Sequence, residues 1–206
     1  MPDLGLERSL LKQGHVRIAG VDEVGRGSWA GPVVAAAVIL PLDRRGLVRK
    51  LDGLRDSKEM TARQREKLSL TVFGIARIGI GWASHHVVDR EGLAFANRAA
   101  LLRAVANLPE VPDALLLDHF RLPGSTLPQV AISHGDSLSL SIAAASVVAK
   151  VLRDRWMTRC GARFPEYGFE QHKGYGTRQH RTALTDLGPC PLHRRSFMPV
   201  LLACPS

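Results

Sequence analysis

Apolar and polar positions change period several times along the chain, and each change predicts an element. Residues 4 to 13 have helical spacing, and the run from 15 to 23 is apolar almost to its end, as a buried strand is. "VVAAAVIL" at 33 to 40 reads as a second strand and "RIGIGWAS" at 77 to 84 as a third, with a helix from Ala62 to Phe73 between them. Helical spacing returns through "AFANRAALLRAVANL" until Pro109 and Pro112 stop it, since proline lacks the N–H that a helix uses. "DALLLDHF" then predicts a strand, "QVAIS" a short one, and residues 138 to 160 a long helix. A Gly-rich loop, "HKGYGT", precedes a last helix at 178 to 187, closed by Gly188. Early antiparallel strands followed by crossovers imply an α/β sandwich. One domain over 1–206 is expected, with a core over about 15–165 and a basic helical segment over about 166–206.

Two carboxylates, Asp22 and Glu23, stand at the end of the first strand, just before Gly25, Arg26 and Gly27. A charge inside "VRIAGVD" is costly to bury unless it is paired or bound to metal, which makes Asp22 a candidate site residue. Successive side chains of a regular strand point to opposite faces. For both acids to serve one site, the strand must end or bulge there, or Glu23 must reach round. Asp118 follows the apolar run from Ala114 to Leu117, at the carboxyl edge where open α/β sheets place ligands; a turn-forming Asp would look the same. Asp136 stands just before the long helix, as its cap or as a group facing a cation. The small residues of "SIAAAS" let that helix approach the sheet and bring Asp136 to the strand ends. Carboxylates converging there would repel without divalent cations between them, and hard oxygen ligands select Mg²⁺ or Mn²⁺. Two such ions would position a water and stabilise the leaving oxygen of a phosphodiester.

Charge adds a substrate class. The formal net charge is +9, and from Lys150 onward ten Lys/Arg face four Asp/Glu, so six of the nine positive charges gather in the last 57 residues. A basic end opposite an acidic site suits a polyanion, because phosphate neutralisation supplies most non-specific nucleic-acid affinity. Cys160, Cys190 and Cys204 have neither zinc-site spacing nor the even number of a closed disulfide set, so reduced thiols are expected. With no signal-like N-terminus and no apolar run of membrane-spanning length, a cytoplasmic, membrane-free monomer is expected.

"GVDEVGRG" with "GP" shortly after, "DSK" at 56 to 58, "LLLD" ending at Asp118, "GDSLSLSIAAASVVAKVLRDRWM" at 135 to 157 and "HKGYGT" followed by His180 occur in that order. Together they resemble the bacterial ribonuclease HII family, over about residues 15 to 197. The resemblance implies a ribonuclease H-like fold, a mixed five-stranded sheet flanked by helices with a helical C-terminal extension. It implies an endoribonuclease that hydrolyses the RNA strand of RNA–DNA hybrids and cuts 5′ of single ribonucleotides in duplex DNA, leaving 3′-hydroxyl and 5′-phosphate ends. Carried over by position, it makes Asp22, Glu23, Asp118 and Asp136 the catalytic, metal-binding carboxylates. Gly25, Arg26 and Gly27 become the loop that reads the ribose 2′-hydroxyl through its backbone, and Tyr175 the ring beside the ribonucleotide–deoxyribonucleotide junction. The chemistry is sound: glycines let a backbone approach a sugar, the 2′-hydroxyl tells RNA from DNA, and a ring offers a flat surface.

Ser57, Lys58, Lys150, His172 and Lys173 are further candidates for substrate contact, although "DSK" before a helix is equally good capping chemistry. Ser146, Lys150 and Asp154 recur every four residues on one helix face, and Asp154 reads as the ion-pair partner of Lys150 or a nearby Arg. His119 could shuttle a proton or merely hydrogen-bond; His172 and His180 could orient the Gly-rich loop or meet phosphate; Trp29 and Trp82 read as packing. Two other classes fit part of the pattern. A resolvase-like two-metal nuclease of the same fold would share acids but not "GRG" and "HKGYGT" in these places. A catalytically silent hybrid-binding module would be expected to have lost an acid, and all four are present.

Overall fold

The computed structural model of the chain describes residues 1–204. Its first half comprises α1 (Gly5–Lys12), β1 (Ile18–Val24), β2 (Val33–Ile39), α2 (Leu47–Lys50), a 3₁₀ turn (Ser57–Glu59), α3 (Ala62–Ile75), β3 (Arg77–Ala83), α4 (His85–Glu91) and α5 (Leu93–Ala106). There follow β4 (Ala114–Asp118), β5 (Gln129–Ile132), α6 (Gly135–Leu138), α7 (Leu140–Gly161), a 3₁₀ turn (Pro165–Tyr167), α8 (Phe169–His172), α9 (Arg178–Leu187) and α10 (Met198–Leu201). β1, β2 and β3 pair antiparallel, and β4 and β5 add parallel beyond β1, giving the order β3-β2-β1-β4-β5. This is the mixed five-stranded sheet with flanking helices that the family resemblance implies.

Alternation along the strands sets the layers. Ala19, Val21, Ala35 and Ala37 pack on α5, whereas Ala36 and Val38 face α3 and α7. α7 is buried continuously from Leu140 to Ala149. Its close approach depends on Gly20, where a Cβ would stand 2.2 Å from the Ser141 carbonyl carbon. Small residues on both sides thus bring Ser146 and Lys150 of α7 over the end of β1.

Three differences from the sequence pattern have local causes. β1 starts at Ile18 rather than residue 15, because the Asp113 carboxylate takes the N–H groups of Val16 and Arg17. A one-turn helix, α6, precedes the long one: the Ser139 side chain accepts from the Ile142 N–H and caps α7, which leaves Asp136 inside the first turn of α6 and corrects its reading as a cap. The extra helix α4 is capped by Ser84 and separated from α5 by Gly92 at φ 84°. Beyond Pro165 the chain folds back on α7 and residues 29–32, with an isolated bridge between Ala30 and His193 and with Met157, Tyr167 and Phe169 packed beneath. All three cysteines are free, and no described helix is long and apolar enough to cross a membrane.

Candidate active site

β1 outruns its parallel neighbour. Its pairing with β4 ends at Val21–Leu117, while pairing with β2 continues through Asp22, Glu23 and Val24. No bulge is needed, since both acids stand at the margin left open where β4 stops. Asp22 points to the α7 side, where the Ser146 hydroxyl bonds to it, and the Glu23 N–H donates to its Oδ1 at 2.7 Å. Glu23 lies on the α5 side beside Asn97 and receives Arg26 Nη1 at 3.2 Å. Asp118 ends β4, and its Oδ1 accepts the Gly135 N–H at 2.8 Å, which ties the start of α6 to the strand end. One cavity of about 590 Å³ is lined by Asp22, Glu23 and Asp118 together with Gly25, Arg26, Gly27, Ser57, Lys58, Ser146, Lys150 and Tyr175. Asp136 is buried beside it rather than in its wall.

The acids are electrostatically overloaded. Burial first, then the charges of Glu23 and Asp118, raise the Asp22 pKa well above the carboxylate range, against the pull of Ser146. Burial also raises Glu23, with Arg26 opposing it. Asp136 is pushed up to about 6 by burial and by Asp56 and Asp118. An all-oxygen donor set that repels itself fits hard divalent cations. Among the described residues no three His, Cys, Asp or Glu side chains stand close enough together to hold a metal ion by themselves.

Beside the acids, Gly25 adopts φ 92°, which a Cβ could not share with Arg153 Nε 2.2 Å away. The loop is pinned from within. Arg194 donates to the carbonyls of Gly25 (2.7 Å), Arg26 (2.8 Å) and Gly31 (3.0 Å). Arg153 donates to those of Pro32 (2.9 Å), Ala30 (3.0 Å) and Lys173 (2.9 Å). Tyr175 closes the far side, its ring 5.2 Å from Lys150 Nζ and 5.3 Å from the Arg153 guanidinium.

The family model described as Ribonuclease HII matches residues 19–200. The chain belongs to the ribonuclease HII family. It is 48% identical over 204 residues to ribonuclease HII of Chloroflexus aurantiacus, covering 98% of this chain and 96% of that one. It is 52% identical over 204 residues to that of Chloroflexus aggregans, covering 97% and 95%. In fold it resembles the crystal structure of ribonuclease H2 from Pyrococcus horikoshii, with TM-score 0.79, 23% identity, and coverage of 91% of this chain and 97% of the other. Membership carries metal-dependent hydrolysis of RNA strands paired with DNA, and disfavours the resolvase-like and silent alternatives.

The other expected site residues are placed unevenly. Asp56 caps the 3₁₀ turn by accepting the Lys58 N–H at 2.9 Å, while the Lys58 side chain is 84% exposed at the cavity rim. Ser57 is buried, its hydroxyl hydrogen-bonded to that of Ser146 at 3.0 Å. Lys150 pairs with Asp154 at 2.8 Å, and Arg65 approaches the same acid at 3.6 Å, which makes Asp154 an ion-pair partner. His119 lines the cavity, exposed, at φ 66°. His172 and Lys173 line a neighbouring cavity of about 610 Å³ instead. His172 is corrected as a substrate contact: it is buried, its Nδ1 accepts the Gly174 N–H, and its Nε2–H donates to the Tyr167 carbonyl at 2.6 Å. Lys173 Nζ is occupied by Thr158 Oγ1 at 2.8 Å and by the Glu170 carbonyl. Sequence reasoning missed Arg65, Arg153, Arg194 and His193. A basic residue inside a matched block, as Arg153 is, was the one available signal.

Proposed function

We propose that Asp22, Glu23, Asp118 and Asp136 hold two divalent cations, Mg²⁺ or Mn²⁺, and that the chain cuts the RNA strand of RNA–DNA hybrids and duplex DNA 5′ of a single ribonucleotide. The observation that carries this reading is the single cavity whose wall joins three carboxylates, Gly25 to Gly27 and Tyr175. When bound, the cations supply an activated water and stabilise charge on the leaving oxygen, giving 3′-hydroxyl and 5′-phosphate ends. The chain's own residues orient and select. Ser146 and the Glu23 N–H hold Asp22, and the Gly135 N–H holds Asp118, so both carboxylates are aimed before substrate arrives. Arg194 and Arg153 draw loop carbonyls inward, which leaves the backbone of Gly25 to Gly27 at the cavity for the ribose 2′-hydroxyl. Tyr175 supports the adjoining deoxyribose, and the exposed Lys58 ammonium suits a phosphate.

The test is incubation of the protein with duplex DNA containing one ribonucleotide, in Mg²⁺, Mn²⁺ or excess EDTA. A cut 5′ of the ribonucleotide with either metal and none in EDTA is expected; cleavage retained in EDTA would overturn the reading. The same reading makes the enzyme a cytoplasmic monomer, and light scattering with and without substrate checks the monomer.

A further inference from the structure

The active-site cavity shares lining residues with two others. On one side it shares Arg65, Lys150 and Tyr175 with the neighbouring 610 Å³ cavity. On the other it shares only Arg26 with a cleft of about 690 Å³ between the start of α5 and the loop after β4. These two outer spaces have no lining residue in common, so they leave the site in different directions.

The cleft beyond Arg26 has an unusual surface. Phe95 and Phe120 line it with 42% and 56% of their area exposed, and neither joins a core cluster. Each ring is backed by a guanidinium, Arg98 at 5.6 Å from Phe95 and Arg26 at 5.9 Å from Phe120. Arg121 adds a third cation, and the one lining acid, Glu91, is already paired with Arg90 at 2.7 Å. Asn97, whose side chain bonds to Glu23, also lines the cleft and links it to the carboxylates. Exposed rings interleaved with cations form a surface that single nucleotides stack on while phosphates are neutralised.

We propose that this cleft is a subsite for the nucleotides immediately 5′ of the ribonucleotide on the cleaved strand. Phe95 and Phe120 stack on their bases or sugars, and Arg98 and Arg121 meet their phosphates. The inference rests on the proposed function, which sets the direction. Tyr175 meets the deoxyribose 3′ of the ribonucleotide and Gly25 to Gly27 meet the ribose, so a strand leaving past Arg26 runs 5′.

The test compares wild type with Phe95→Ala, Phe120→Ala and Arg98→Ala, all exposed positions, on duplexes with one ribonucleotide. Phe95 stacks with Arg98 and Phe120 with Arg26, so the Phe95 and Arg98 variants leave the Arg26–Phe120 pair next to the Gly25 to Gly27 loop in place. With a long 5′ flank, each Phe variant should lose about tenfold in kcat/KM. Arg98→Ala should reduce the log–log salt slope by about 0.9. When the cleaved strand is trimmed to one nucleotide 5′ of the ribonucleotide, all proteins should fall, wild type most, and the difference between wild type and each variant should vanish. Trimming the 3′ flank should affect all proteins alike. Equal rates on the full substrate would overturn the proposal, as would a loss that persists after 5′ trimming or follows the length of the complementary strand. Wild type failing to make any metal-dependent cut would overturn the proposed function as well, and that is seen before a variant is tested.

Discussion

The molecule holds unbalanced charge in two places, with opposite sign and opposite treatment. At the sheet end, Asp22, Glu23 and Asp118 share one cavity and burial and mutual repulsion raise the pKa of Asp22 and Glu23, so negative charge is left wanting a cation. In the loop region behind Gly25, Arg153 and Arg194 are fully buried, and among the described residues neither makes an ion pair. Each instead donates to three backbone carbonyls. The difference teaches where specificity comes from. Had the arginines been paired with Asp22 or Asp118, the carboxylate charge would be neutralised and the loop left free; directed at carbonyls, they fix the loop and leave Glu23 alone among the three acids with a cationic partner, Arg26.

The largest effect should follow from removing one acid. Asp118→Asn keeps shape but removes a charge, and turnover should fall by about 10³-fold or more, while hybrid binding survives because phosphate contacts supply it. Thermal stability without metal should not fall, since a repulsion is relieved. Single-turnover cleavage, gel-shift binding and a melting curve check the three parts, and a near wild-type rate would break the comparison at its acidic end. Arg194→Met attacks the other end. It removes the guanidinium bonds to the carbonyls of Gly25, Arg26 and Gly31, of which Gly25 keeps a long bond from the Ser28 N–H at 3.4 Å, and at about 1 kcal/mol for each lost bond the loss is roughly 3 kcal/mol. Urea unfolding measures it; an unchanged midpoint would show that the loop holds itself.

Acid should separate the two regions by sign. A chain of bonds runs from the Cys190 N–H to His193 Nδ1, from His193 Nε2–H to His180 Nε2, and from His180 Nδ1–H to the Tyr175 carbonyl. Both rings are buried and neutral, their pKa values lowered to about 4 by burial. A folded pKa below the unfolded value of about 6.5 means stability that is present above 6.5 and lost as pH falls toward 4, about 2 kcal/mol by pH 5 for a ring titrating alone. The carboxylates, with raised values, bind protons more tightly in the folded chain, so the metal-free sheet end gains as pH falls through their range. Melting temperatures of metal-free wild type and His193→Gln between neutral pH and 5 test this. The variant should lose less on acidification, and parallel curves would place the acid-sensitive group elsewhere.

The two regions also differed in how legible they were. Asp22 and Asp118 stood out because a charge inside or directly after an apolar run has few structural uses. What the strand could not reveal was how adjacent acids share one site, because the answer lies in β4 stopping opposite Val21, a relation between segments about a hundred residues apart. Arg153 and Arg194 left almost no local trace. On a helix three residues after Lys150, or in a basic tail, an arginine looks like a solvated cation, and its carbonyl partners are 121 to 169 residues away except for Lys173. Asp136 resembled a cap because its neighbours do begin a helix; Ser139 took that role through a side-chain bond that the pattern permits at either position. His172 looked available in a Gly-rich loop, yet the loop folds over it.

Tyr175 belongs to both regions and gives the smallest effect. Its carbonyl is held by His180, while its ring sits in the active-site cavity between Lys150 and Arg153. Replacing the side chain leaves the backbone bond in place, so Tyr175→Ala should cost little stability. An aromatic contact to a sugar or base is worth roughly 1 to 3 kcal/mol, so cleavage at one embedded ribonucleotide should fall about 5-fold to 150-fold. Tyr175→Phe keeps the flat face and should stay near wild type. The metal concentration for half-maximal rate should not move in either variant, because no carboxylate is disturbed. Measured at fixed salt, the ratio of rates on the embedded ribonucleotide and on a continuous hybrid shows whether the ring reads the junction. If Tyr175→Ala cut the embedded ribonucleotide at the wild-type rate, the ring would be part of the buried loop region alone, and junction recognition would rest on Gly25, Arg26 and Gly27.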